Sequence, residues 1–236
     1  MRTSLWTRGA AALGGRLFAG TCYLCRGESQ GTLCRQCDAD LPQLAQPRCP
    51  QCALPLPVET ICGRCLREPP AFDATAAVFA YAFPADILVQ GLKFRGELAL
   101  APLLADALHA ELTARQADPV DLLVPVPLHE LRLRERGYNQ SMEIARALAG
   151  LTGVRAAADL CVRVRNTAAQ LELPWKERRD NVRDAFSCRR AVEGKRIAVV
   201  DDVMTTGATL NEVAATLKKF GAVRVVNWVV VRTPMD

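Results

Sequence analysis

The sequence predicts an α/β fold: an open, mostly parallel sheet preceded by a small cysteine-rich module. Three observations carry this. Strand-like apolar runs near residues 75, 122, 160, 197 and 225 alternate with stretches of helical periodicity, as in a parallel sheet with helical crossovers. Eight of the ten cysteines fall in four Cys-x2-Cys pairs between Cys22 and Cys65. The apolar run Ile197 to Val200 ends on Asp201-Asp202 and leads through Thr205-Thr206-Gly207-Ala208-Thr209 into a helical pattern. Right-handed crossovers then place such loops at the carboxyl edge of the sheet, where ligands bind.

With 236 residues, half of them hydrophobic, the chain can hold one full domain and one small one. The expected partition is an N-terminal segment over 1–20, a zinc module over 21–68 and the larger domain over 71–236. Residues 4–20 are interrupted by Arg8 and Arg16, so they read as a short helix or frayed terminus rather than a signal peptide. No uninterrupted apolar run is long enough to span a bilayer, so no integral membrane segment is expected. The net charge is +5, and His129 to Arg196 hold fifteen Lys and Arg against nine Asp and Glu. That surplus suits an anionic partner.

The cysteine pairs come first in the chain. Cys22/Cys25, Cys34/Cys37, Cys49/Cys52 and Cys62/Cys65 each present two thiolates, and two such turns complete a tetrahedral zinc site with no open position. Two structural Zn²⁺ ions in tandem knuckles are expected. The simplest pairing is sequential, but the spacing also permits interleaving. Clustered Cys-x2-Cys pairs favour a reducing compartment, hence a cytoplasmic address. Arg26, Arg35, Arg48, Arg64 and Arg67 make the module a candidate nucleic-acid surface.

Pro69-Pro70 marks the exit from the module. A strand is expected over 74–83, then helices over about 85–94 and 98–115, with Lys93, Phe94 and Arg95 on a solvated face before the break at Gly96. Residues 121–127 form the next strand, whose prolines end it in a sharp turn over 128–136. Arg132, Arg134 and Arg136 then precede a helix opening at Gly137-Tyr138-Asn139-Gln140-Ser141. Arginines before a helix N-terminus suit a pyrophosphate. A short strand over 160–164, a long loop, the strand ending at Asp201-Asp202, a helix closing at Gly221 and a strand over 223–231 complete the order.

A helix N-terminus with free N–H groups, threonine hydroxyls and a glycine makes a receptor for a phosphate monoester. Adjacent carboxylates at the strand tip can accept hydrogen bonds from a vicinal diol. A ribose 5-phosphate satisfies both halves. The run Ile197 to Thr209 resembles the motif by which type I phosphoribosyltransferases bind phosphoribosyl pyrophosphate (PRPP). The resemblance implies a type I phosphoribosyltransferase-like fold, Asp201 and Asp202 on the ribose hydroxyls, Thr205 to Thr209 around the 5-phosphate, and Mg²⁺ carried with PRPP. Val124-Pro125-Val126-Pro127-Leu128 and Arg136-Gly137-Tyr138-Asn139-Gln140 narrow it to the ComF family of competence-associated proteins, which includes GntX-type relatives and begins with a double zinc ribbon. There Arg134, Arg136, Gly137, Asn139 and Gln140 correspond to the pyrophosphate loop. The region after residue 164 corresponds to the loop that closes over PRPP, with Arg165, Lys176 and Arg178 as catalytic candidates and Gln170 and Arg179 beside them.

Thr205 stands where purine-salvage enzymes of this superfamily usually carry an acid, so hypoxanthine or guanine salvage is disfavoured. The expected function is a PRPP-binding protein of DNA uptake that contacts single-stranded DNA and other uptake proteins. The alternatives are a metabolic phosphoribosyltransferase acting on a nitrogen acceptor, and a non-catalytic adaptor with a relic PRPP site.

Overall fold

The computed structural model describes residues 20–165 and 182–234. The chain divides into two compact units, Met1–Leu41 and Pro42–Asp236. In the first, the short strands β1 (Gly20–Thr21) and β2 (Glu28–Ser29) pair antiparallel, and helix α1 (Arg35–Ala39) follows.

The second unit opens with a short helix, α2 (Gly63–Arg67), and strand β3 (Ala74–Ala80). Next come α3 (Ala85–Phe94), α4 (Leu100–Ala114), β4 (Leu122–Pro125), α5 (Glu130–Arg136) and α6 (Gln140–Thr152). The short strands β5 (Cys161–Arg163) and β6 (Phe186–Cys188) precede β7 (Arg196–Met204), α7 (Ala208–Lys219) and β8 (Arg224–Arg232). The main sheet has four strands in the order β3-β8-β7-β4, all parallel.

The apolar runs explain the sheet. Val225 to Val231 and Ile197 to Val200 are buried on both faces, which only a central parallel strand requires. Ile197 and Val199 join Val225 and Val229 in one core with Leu210, Val213, Ala214 and Leu217 of α7. The alternating Ala198 and Val200 face the other way, toward the side on which α6 packs. Helix α7 ends at Gly221 as expected. Its φ of +101° and the Glu193 Cα only 2.9 Å from where a Cβ would sit both require glycine.

Two expectations need correction. Residues 161–163 do not enter the main sheet but pair antiparallel with 186–188, where Cys161, Phe186 and Cys188 are buried against the core. The segment after Pro127 is not a plain turn: residues 130–136 are helical. The His129 ring accepts from Leu131 N as an N-cap, and Glu130 pairs with Arg134 one turn on.

Candidate functional site

Asp201 and Asp202 lie near the carboxyl end of β7, two residues before it finishes at Met204, and are almost completely buried, at 8% and 2% exposure. The N-terminus of α6 meets them there. Asn139 caps that helix by accepting from Ser141 N at 3.0 Å, and its amide donates to Val126 O at 3.0 Å, anchoring the cap to the end of β4. Ser141 Oγ donates to Asp201 Oδ1 at 2.8 Å, and Asp202 N donates to the same oxygen at 3.0 Å. Lys93 Nζ stands 3.4 Å from Asp202 Oδ2, an ion pair across the end of the sheet.

Two buried carboxyls side by side cannot both ionise freely. Burial, then the Asp202 charge, push the Asp201 carboxyl well above the usual carboxylate range, against the Ser141 hydroxyl and Lys93. Burial opposes charging Asp202 as well, but Lys93 and hydrogen bonds with Asp201 and Gln140 outweigh it and hold Asp202 below that range. The two carboxyls are thus pulled apart, Asp201 toward its protonated form and Asp202 toward the charged form that faces Lys93.

The next five residues turn from strand to helix. Gly207 sits at φ +81°, and a Cβ there would lie 2.7 Å from Met204 Cε. Thr206 Oγ1 accepts from Ala208 N at 3.1 Å, and Thr205, Thr206, Ala208 and Thr209 are all half-buried at the N-terminus of α7. This joins a phosphate-sized helix terminus to a carboxylate pair.

The arginine segment is split. Arg136 Nη1 donates to Gln140 Oε1 at 2.6 Å, and Gln140 is buried at the carboxylates, so Arg136, Asn139 and Gln140 belong to the site. Gly137 ends α5 in a left-handed conformation, φ +82°. Arg134 is exposed and paired with Glu130 on its own helix. Arg165 is exposed and donates to Arg183 O at 2.6 Å. Lys176 and Arg178, with Gln170 and Arg179, lie outside the described residues.

Three site residues escape the sequence reading. Lys93 looks like solvated helix surface, yet it reaches Asp202. Ser141 is the second residue of a helix and becomes the partner of Asp201. Arg163, on β5 with its guanidinium 5.6 Å from the Phe186 ring centre, feels burial and Arg132 pushing its pKa down and Asp201 pushing it up. Only Ser141 had a signal, its place at a helix N-terminus beside a basic segment.

The cysteines form two clusters, Cys22/Cys25/Cys34/Cys37 and Cys49/Cys52/Cys62/Cys65, with the ligand atoms of each within 4.8 Å of one another. The pairing is sequential. Backbone N–H groups already point at the sulfurs: Cys37 N donates to Cys34 Sγ at 3.5 Å and Cys62 N to Cys49 Sγ at 3.4 Å. Burial opposes charging Cys22, but N–H groups of Cys25, Cys34 and Leu24 bring its thiol down to about 6. Four convergent sulfurs with such donors fit a tetrahedral zinc ion. The arginines of this region behave differently from one another. Arg48 is buried, donates to Ala77 O at 2.6 Å and pairs with Glu111, and Arg64 donates to Thr206 O at 2.9 Å, so neither is an open nucleic-acid contact. Arg26, Arg35 and Arg67 are exposed.

Residues 15–66 match the family described as double zinc ribbon domain, and residues 103–235 match the phosphoribosyl transferase domain. The chain is 37% identical over 222 residues to DNA utilization protein YhgH of Salmonella typhimurium, covering 91% of this chain and 97% of that protein. It is 32% identical to competence protein F of Haemophilus influenzae, over 88% of this chain and 94% of the relative. With competence protein ComFC of Bacillus subtilis it shares 26% identity, over 80% and 79%.

Proposed function

We propose, from the premise that this chain belongs to the family joining a double zinc ribbon to a phosphoribosyl transferase domain, that it is a PRPP-binding protein of DNA uptake that contacts single-stranded DNA. The supporting observation is the junction at the end of β7. A buried carboxyl pair suited to a ribose diol adjoins a threonine-rich helix N-terminus suited to a 5-phosphate, with Arg136 and Gln140 on the side a pyrophosphate would take. Asp201 and Asp202 bind the hydroxyls, and Thr205, Thr206, Gly207, Ala208 and Thr209 surround the phosphate. Mg²⁺ enters with PRPP, held mainly by the ligand's own oxygens. Arg165, Lys176 and Arg178 are the residues proposed to act over the bound pyrophosphate, and the cytoplasm is the proposed compartment.

The nucleic-acid half of this reading is supported by Phe94. Its ring is 60% exposed, with Lys93 Nζ at 5.8 Å and Arg136 Cζ at 5.7 Å from the ring centre. An exposed ring beside cations can stack a base, and the positive field around it favours a polyanion. Phe94→Ala is expected to weaken binding of an oligothymidylate roughly tenfold, within the ~1–3 kcal/mol of one stacked base. Fluorescence anisotropy across a salt series checks it, since phosphate pairing makes affinity fall steeply with salt. Salt-insensitive or absent binding of single strands by the unaltered protein would remove this half. The same donor site would serve transfer to a nitrogen acceptor, and release of pyrophosphate on adding a small amine would favour that second reading.

A further inference from the structure

We infer that Arg64 and Arg232 are positioning residues that make the second cysteine cluster the rear support of the phosphate loop, so that metal in that cluster and phosphate in the loop strengthen one another. The inference rests on the PRPP reading of the loop. Its geometric half stands without it.

Arg64 lies between the ligands Cys62 and Cys65, and its Nη1 donates to Thr206 O at 2.9 Å. Arg232, the last residue of β8, is fully buried at 0% exposure. Its Nε donates to Cys52 O at 2.8 Å, while Nη1 donates to Thr205 O at 2.6 Å and Met204 O at 3.1 Å. One guanidinium thus bridges the main chain of a metal ligand and the main chain of the loop. A second reaches the loop from the helical turn between two other ligands. Three consecutive carbonyls, those of Met204, Thr205 and Thr206, are drawn to one side.

The direction of those carbonyls decides the direction of the amides. In a trans peptide the C=O of one residue and the N–H of the next point opposite ways. Holding the three carbonyls against the guanidinium groups turns the N–H groups of Thr205, Thr206 and Gly207 to the far side, where successive amides form an anion-binding concavity. The two cations behind the loop favour an anion there as well. Burying Arg232 is tolerable because its donors are satisfied, but that satisfaction depends on where Cys52 O sits. A metal ion holding Cys49, Cys52, Cys62 and Cys65 fixes both anchors. Without the ion, the two turns are joined only by weaker contacts, Cys52 Sγ to Cys62 Sγ at 3.6 Å and Cys62 N to Cys49 Sγ at 3.4 Å among them, so the common base of the two arginines loosens.

The test uses the full zinc-loaded chain with ribose 5-phosphate, which engages the loop, and Mg²⁺-pyrophosphate, which does not need it. Arg64→Ala is expected to keep two zinc ions, to weaken ribose 5-phosphate roughly tenfold through loss of one charged hydrogen bond, and to leave pyrophosphate affinity unchanged. Hydrogen exchange at Thr205 to Ala208 should quicken in the same variant without any ligand. Arg232→Lys, which keeps the charge but cannot span both carbonyls, should also fail to bind ribose 5-phosphate normally. By reciprocity, saturating ribose 5-phosphate should raise the chelator concentration that strips one of the two zinc ions from the unaltered protein. Unchanged ribose 5-phosphate affinity and unchanged exchange in Arg64→Ala would overturn the inference, even if Arg232→Lys proved insoluble. If the unaltered chain bound no ribose 5-phosphate, the PRPP reading would fall instead, while exchange in Arg64→Ala would still decide whether the arginines support the loop.

Discussion

The two cysteine clusters have the same ligands and nearly the same spacing, yet they occupy different physical settings. In the first, Cys22 is buried, Cys34 and Cys37 are half-buried and Cys25 is exposed. Among the described residues the unit around it has only two-residue strands and a five-residue helix, so metal must supply much of their folding free energy. In the second, all four cysteines are buried in the same hydrophobic core as Phe72, Leu210, Val213 and Val229. The chain before them pairs with β3, through Leu44 N to Val78 O at 2.8 Å and Ala80 N to Pro42 O at 2.8 Å. The difference teaches that one ligand set can be a self-contained fold in one place and a wall of a larger domain in another.

The largest effect expected from this contrast is on folding. Cys52→Ser should cost the larger unit more than the ~5–15 kcal/mol that holds a typical domain together, giving insoluble or proteolysed protein. Cys25→Ser should remove one zinc ion and leave the main thermal transition within a few degrees. Metal analysis with calorimetric melting checks both, and equal losses would erase the distinction.

A second comparison sets Arg48 against Arg26. Arg48 is a buried cation joining the segment before Cys49 to Ala77 of β3 and Glu111 of α4, so Arg48→Ala removes charged hydrogen bonds at a buried site while Glu111 keeps Arg115, and should cost about 1.5–3 kcal/mol. Arg26 is exposed, 5.7 Å from the Tyr23 ring centre, and its loss should cost under about 1 kcal/mol. Urea unfolding of each variant gives the numbers.

Within the larger unit, Gly207→Ala should destabilise by about 1–2 kcal/mol, since the left-handed backbone penalises any Cβ and Met204 must move aside. Weaker PRPP binding should accompany it, read by denaturation and calorimetry on one sample.

The smallest expected effect has the opposite sign. Asp201 has a raised pKa in the fold, so its contribution is favourable below the unfolded value and is lost as pH rises through the folded one. Asp201→Asn keeps an oxygen for Ser141 and removes that loss. Its Tm should therefore exceed that of the unaltered protein at pH 8, with the gap closing toward pH 5. Asp202 has a lowered pKa, so its contribution is present above the unfolded value and is lost in acid. Asp202→Asn, which strands Lys93, should be less stable at neutral pH.

These contrasts were unevenly legible. The carboxylate pair and the proposed phosphate loop are continuous in sequence, so strand, turn and helix could be read directly from Ile197 to Thr209. The Cys-x2-Cys spacing pointed to zinc, but the packing of four thiols into the core depends on residues such as Phe72 and Val229 that no cysteine pattern encodes. Lys93 is separated from Asp202 by more than 100 residues of chain and sits at a helix end, where lysine is ordinary. Arg64 and Arg232 bond to main-chain carbonyls, which have no residue identity to pair with in a sequence. The split of residues 161–163 from the main sheet was hidden because a three-residue strand looks alike in either setting.

The most direct test of the central claim is calorimetric titration of PRPP with Mg²⁺ into the zinc-loaded full chain and into its Asp201→Asn, Asp202→Asn double variant. The account predicts one-to-one binding that the double variant loses by about 100-fold or more, since both proposed partners of the ribose hydroxyls are altered together. Equal binding by both proteins, or none by the unaltered one, would contradict it.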